Sequence, residues 1–169
     1  MKKRIIALGL LWCLSAVMLQ AARVDTVLVR SAAMNKDVKV VYVLPDKAIG
    51  KQACPVVYLL HGYGGNARSW VQLKPELPQM ADEKGIIFVC PDGKNSWYWD
   101  SPENPAYRYE TFVTSELVKY TDGNYATIPD RKARAISGLS MGGHGALWSA
   151  IRHKDVFGAA GSMSGGVDI

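Results

Sequence analysis

The segment Gly138-Leu139-Ser140-Met141-Gly142 sets a serine midway between two glycines. A serine hydroxyl is a weak nucleophile unless it is exposed and handed to a base. A sharp turn from strand to helix achieves the exposure, and glycines flank it because side chains there would collide with the neighbouring strand and helix. The chemistry implied is nucleophilic acyl transfer through Ser140. That reaction also needs two N–H donors aimed at a developing oxyanion. One follows the nucleophile directly, at Met141. The other is expected from a loop after an earlier parallel strand, and His61-Gly62-Tyr63-Gly64-Gly65 is such a loop, with Tyr63 as the donor. His61 sits inside that turn and far upstream of the serine, so it is read as shaping the loop and not as a base.

The elements that must position these residues follow from periodicity. Val24 to Arg30 and Val38 to Leu44 are rich in β-branched residues and read as two early strands, with turn chemistry at Asn35, Lys36 and Asp37. Pro45 to Gln52 reads as a polar loop. Pro55 to Leu60 and Ile86 to Cys90 are short, continuously apolar runs, the mark of strands buried on both faces. A helix is expected to end at Lys84 with Gly85 as its stop, and another to span about Tyr107 to Thr121, ended by Asp122-Gly123-Asn124. Ala133 to Ser137 is a strand leading into the serine turn, Gly145 to His153 a helix, and Gly158 to Ser162 a last strand. Strands alternating with helices point to a mostly parallel sheet with crossover helices.

Bulk properties bound the reading further. Lys2, Lys3 and Arg4, the apolar run to about Leu19, and Ala21-Ala22 before Arg23 have the layout of a cleavable secretory signal peptide over residues 1–22. The run is shorter than the ~20 residues of a membrane span. The rest, residues 23–169, reads as one domain in a secreted or periplasmic protein. Of the formal net charge of +5, three positives belong to that leader, leaving 17 basic against 15 acidic residues. A net +2 gives no reason to invoke nucleic acid or anionic membranes. Cys54 opens one predicted strand and Cys90 closes another. In parallel strands they lie at opposite ends, roughly 17–20 Å apart, too far for a disulfide that needs Cα atoms within about 7 Å. No residue cluster has metal-ligand spacing and no loop would cradle a phosphate, so no cofactor is expected.

The segments YLLHGYGG (Tyr58–Gly65), NSWYWDSP (Asn95–Pro102), YETFVTSEL (Tyr109–Leu117) and GLSMGGHGAL (Gly138–Leu147) closely resemble the Putative esterase family of α/β-hydrolases. That family includes esterase D, feruloyl and acetyl-xylan esterases and the antigen 85 mycolyltransferases. The resemblance implies an α/β-hydrolase fold, Ser140 as nucleophile, and the Tyr63 and Met141 amides as the oxyanion hole. It puts Trp97, Tyr98 and Trp99 either near the acyl or alcohol cleft or in packing beneath their loop. It further implies a carboxylic-ester hydrolase, acting on acyl esters of carbohydrates such as feruloyl or acetyl groups, with acyl transfer to another alcohol as a close variant. The substrate partner is thus a small-molecule or polysaccharide ester.

The family's order of catalytic groups is Ser, then Asp or Glu, then His. After Ser140 the histidines are His144 and His153 and the acids Asp155 and Asp168, none suitably placed. The acid and base are therefore expected beyond Ile169, in a chain truncated before the fold's C-terminal strands. The alternative is an inactive truncated product or a non-catalytic α/β-hydrolase-like binding protein.

Overall fold

The computed structural model describes residues 22–167. The segment read as a signal peptide lies outside the described residues except for Ala22, as does Asp168. Six strands make one sheet: β1 (Arg23–Ser31), β2 (Lys36–Leu44), β3 (Val56–Leu60), β4 (Ile87–Pro91), β5 (Arg134–Leu139) and β6 (Ala159–Met163). Their order is β1-β2-β4-β3-β5-β6. β1 and β2 form a hairpin, and β2 runs antiparallel to β4. β4, β3, β5 and β6 are mutually parallel neighbours, so the sheet is mixed, with the parallel part where the chemistry is expected.

Alternation along the strands divides the core into two layers. Val40, Tyr42 and Leu44 of β2, Tyr58 and Leu60 of β3, and Ile87 and Val89 of β4 face one side. Val41, Val43, Leu59, Phe88 and Cys90 face the other. Both faces are dry because helices cover each, which is why β3 and β4 read as unbroken apolar runs. α2 (Ser69–Leu73) and α3 (Leu77–Lys84) cover the second face through Trp70, Leu77 and Ala81. α3 stops at Gly85, whose φ of 64° is the left-handed cap expected there. Cys54 and Cys90 are free, buried and in the core layers on opposite faces of the sheet. Burial pushes both thiols up in pKa.

The sequence-based bounds shift at three places. Pro45 to Gln52 is not all loop: α1 (Asp46–Ile49) forms behind Pro45, whose fixed φ and the following acidic residue suit a helix start. The helix expected over Tyr107–Thr121 runs as α4 (Tyr109–Thr111), a π-helical stretch (Phe112–Glu116) and α5 (Leu117–Asn124) without a break. It continues through Asp122-Gly123 because Asp122 is held at both oxygens, by Thr127 Oγ1 at 2.7 Å and Arg134 at 2.6 Å. The helix expected from Gly145 begins at Met141, as α6 (Met141–Arg152). Three glycines in its first five residues oppose helix formation by roughly 1 kcal/mol each, and tertiary contacts override that local cost.

Glu110 ties the two helices on this face together. Its carboxylate accepts hydrogen bonds from Trp148 Nε1, Arg152 Nε and His153 Nε2, each at 2.8 Å. Burial opposes its ionisation, but these donors outweigh burial and hold its pKa below the ordinary carboxylate value. A depressed folded-state pKa adds stability above the unfolded value and loses it as pH falls through the folded one. Glu110→Gln is therefore expected to lower stability by about 2 kcal/mol near neutral pH. Thermal melts of both proteins should show that gap closing below about pH 4. A gap independent of pH over this range would show that the charge contributes nothing.

Candidate active site

The strand order places the site. The chain leaves β3 for β4 on one side, then returns across β3 to reach β5 on the other. Reversals of this kind open a crevice beyond the carboxyl ends of the strands. Here it lies where β3 runs into residues 61–65 and β5 runs into Ser140.

Ser140 is exposed, with φ 53° and ψ −117°, a region that L-residues rarely occupy. Its N–H donates to the Met163 carbonyl at 2.8 Å, and its own carbonyl accepts from the His144 N–H at 3.0 Å. The turn is tight because backbone packs on backbone. A Cβ on Gly138 would fall 2.2 Å from the Gly142 backbone, and one on Gly142 would fall 2.2 Å from the Leu60 carbonyl oxygen. Only glycine permits this approach, which brings the start of α6 onto the end of β3. The loop after β3 consequently passes beside the serine: a Cβ built on Gly62 would lie 3.6 Å from Ser140 Cβ.

Within that loop the amides are assigned one by one. Gly65 N–H donates to the Gly62 carbonyl at 3.0 Å, and Gly64 N–H to Asn95 Oδ1 at 2.8 Å. Among the described residues the Tyr63 N–H has no acceptor, and neither has that of Met141, the first residue of α6. The Tyr63 side chain is 66% exposed. Two amides without acceptors thus flank an exposed serine, one of them at the positive end of a helix dipole.

The histidines are otherwise occupied. His61 is buried; its Nδ1–H donates to the Gly62 carbonyl at 2.7 Å and its Nε2 accepts from Gly93 N–H at 2.9 Å. Both ring nitrogens are used, in a neutral tautomer. The nearby Asp92 Oδ1, at 3.7 Å, is too far for a hydrogen bond. Burial would raise the Asp92 pKa, but the side chain and amide of Lys94, at 2.9 and 3.0 Å, hold it well below the usual range. The His144 ring is buried against Trp97, Trp99 and Trp148, with Nδ1–H donating to the Gly166 carbonyl at 2.9 Å. His153 caps the far end of α6 on Glu110.

The three aromatic residues separate. Trp99 is 45% exposed, Trp97 half-buried, and Tyr98 fully buried. Tyr98 is therefore no cleft residue: its O–H donates to the His61 carbonyl at 3.3 Å and its ring packs under the loop against Gly93 and Gly145. Positive φ values at Trp97 and Tyr98, 56° and 61°, turn the side chains off the path that an extended chain would give. Trp99 opens with His144, Leu147, Trp148, Ile151 and Val167 onto a cleft of about 500 Å³ along α6. A hollow of about 630 Å³ adjoins it, sharing Trp99 and Trp148 and reaching Glu110, Arg134 and His153. Asn95 and Asp92 had no assigned role in the sequence reading; the only signal was the position of Asn95 at the head of NSWYWDSP. Among the described residues no three His, Cys, Asp or Glu side chains gather as a metal site, and no helix is long and apolar enough to cross a membrane.

Comparison with known proteins accords with this geometry. The family model described as Putative esterase matches residues 31–169. An acetyl esterase of Caldicellulosiruptor saccharolyticus is 28% identical over 135 residues, covering 75% of this chain and 50% of that protein. The diacylglycerol acyltransferase/mycolyltransferase Ag85A of Mycobacterium gordonae is 34% identical over 155 residues, covering 86% and 43% respectively. A solved ferulic acid esterase superposes with a TM-score of 0.74 at 31% identity, over 85% of this chain and 60% of its own. The chain spans about half the length of the curated relatives it matches. On the fold, the serine turn and the match over residues 31–169, the chain belongs to the Putative esterase family and has the α/β-hydrolase fold.

Proposed function

We propose that this chain carries the nucleophile and oxyanion hole of an exported serine carboxylic-ester hydrolase that acts through an acyl-enzyme on Ser140. The observation that carries the reading is the exposed, strained Ser140 flanked by the acceptor-free N–H groups of Tyr63 and Met141. In this reading Ser140 Oγ attacks the ester carbonyl, and the two amides receive the charge that develops on its oxygen. The alcohol leaves, and water then cleaves the acyl-serine. The proton passes to a base other than His61, both of whose ring nitrogens are bonded, or His144 and His153, whose rings are held on the Gly166 carbonyl and on Glu110. The base and its orienting carboxylate belong to a part of the protein outside the described residues.

The substrate class rests on the similarity to an acetyl esterase and a ferulic acid esterase and on the leader pattern of residues 1–22. Export separates the protein from cytosolic glutathione thioesters and favours acetyl or feruloyl esters of carbohydrate. The similarity to an acyltransferase supports a second reading, in which an alcohol replaces water in the last step.

Ser140→Ala is expected to lower turnover of p-nitrophenyl acetate and a feruloyl ester by roughly three orders of magnitude or more. A fluorophosphonate probe should label the parent protein at Ser140 alone. Turnover unchanged by Ser140→Ala would mean a non-catalytic protein, and products shifted to transferred ester by added alcohol would favour acyl transfer. Gly142→Ala should cost about 1–3 kcal/mol of stability by forcing the start of α6 off β3, and it should slow probe labelling. Labelling at the parental rate would dissociate that contact from the reactivity of the serine.

A further inference from the structure

The loop proposed to supply an oxyanion donor has little support of its own. Residues 61–65 contain one backbone hydrogen bond, from Gly65 to Gly62, and one from the His61 ring to the Gly62 carbonyl. The rest of its anchorage comes from the loop after β4. Gly93 N–H donates to His61 Nε2, and Tyr98 O–H donates to the His61 carbonyl. Both of these hold the root of the loop. At its tip the side-chain contact is with Asn95, whose Oδ1 takes the Gly64 N–H at 2.8 Å.

The backbone that presents Asn95 is strained. Lys94, Trp97 and Tyr98 have φ values of 50°, 56° and 61°. Three non-glycine residues in the left-handed region within five positions cost about 1 kcal/mol or more each. Burial of Tyr98 and Ser96, with the Tyr98 N–H donating to Ser96 Oγ at 3.1 Å, holds that geometry in place. Strain that persists because its surroundings enforce it is characteristic of functional loops. What this strained turn delivers to the site is one carbonyl oxygen beside Gly64.

We propose that Asn95 is a positioning residue for the oxyanion hole, an inference that rests on reading Ser140 and Tyr63 as nucleophile and donor. By accepting the Gly64 N–H it fixes the peptide plane that follows Tyr63. That plane is the middle peptide of the turn closed by the Gly65-to-Gly62 bond, so the two bonds together hold the turn that directs the Tyr63 N–H at the crevice. Without Asn95, the Gly64 N–H loses its acceptor in a segment containing Gly64 at φ 76°, and among the described residues only the Gly65-to-Gly62 bond is left to hold the turn. A preorganised donor acts on charge that exists only in the transition state, so its loss falls on kcat and not on KM.

The test uses the full protein and three variants, with melting temperatures as a control for folding. Asn95→Ala is expected to lower kcat for an aryl acetate by about 10- to 100-fold with KM little changed. Asn95→Asp keeps an acceptor of the same reach at an exposed position and should recover most of the loss. Amide exchange followed by NMR should show the Gly64 N–H deprotected in Asn95→Ala and protected in Asn95→Asp. Unchanged kcat in Asn95→Ala, or equal losses in both variants, overturns the inference while Ser140-dependent turnover of the parent leaves the esterase reading standing. Absence of turnover that depends on Ser140, shown with Ser140→Ala, overturns the esterase reading itself and this inference with it.

Discussion

Where the first turn of α6 lies on the last carbonyls of β3, no side chain separates the two, and the geometry of the crevice follows from that contact. Gly142 sits so near the Leu60 and His61 carbonyls that any Cβ would overlap them. The approach has local costs: glycines in a helical turn, at roughly 1 kcal/mol each, and the backbone of Ser140, at about 1–3 kcal/mol. They are offset next door. Met141 and Ala146 are fully buried, and a buried side chain of the size of Met141 contributes roughly 1.5–3 kcal/mol. The bond from Ser140 N–H to Met163 then stitches the turn to β6. Packing of the helix thus holds the serine in a conformation that the local sequence would not choose.

The same contact brings together two loops that are far apart in sequence. His61 serves as their joint, with one ring nitrogen on its own loop and the other on the turn after β4. A histidine spent this way cannot also shuttle protons, whereas His144 and His153 are each held through a single ring nitrogen, on the Gly166 carbonyl and on Glu110. In the proposed mechanism the electrostatic half, which needs rigidity, would come from β3, β4, β5 and the start of α6, and proton handling from groups outside the described residues.

Rigidity is not uniform around the serine. Beneath it the two core layers are closed, with tyrosines at positions 42, 58, 98 and 109 all fully buried or nearly so. Along α6 the surface opens into an aromatic cleft where Trp99, Ile151 and Val167 are exposed. The Glu110 clamp fixes α4 and its π-helical continuation against the far end of α6, so the floor of that cleft is pinned even where its rim is open.

What sequence could and could not determine divides along physical lines. β3 and β4 were legible because burial on both faces requires unbroken apolar runs, and the serine turn because its glycines answer to a steric demand with few alternatives. Cysteine pairing was excluded correctly from strand direction alone. The start of α6 was misread by four residues, because helix propensity counts glycines as a cost while close packing requires them. The continuation of α5 through Asp122-Gly123 depended on Arg134 and Thr127, partners outside the local window. Trp97, Tyr98 and Trp99 looked alike as a sequence, yet backbone dihedrals sent one into the core and left one in the cleft. Residue types and spacing determined which groups could do chemistry. Only the tertiary structure decided which amides were left without acceptors, because that depends on partners brought from distant parts of the chain, such as Asn95 at Gly64.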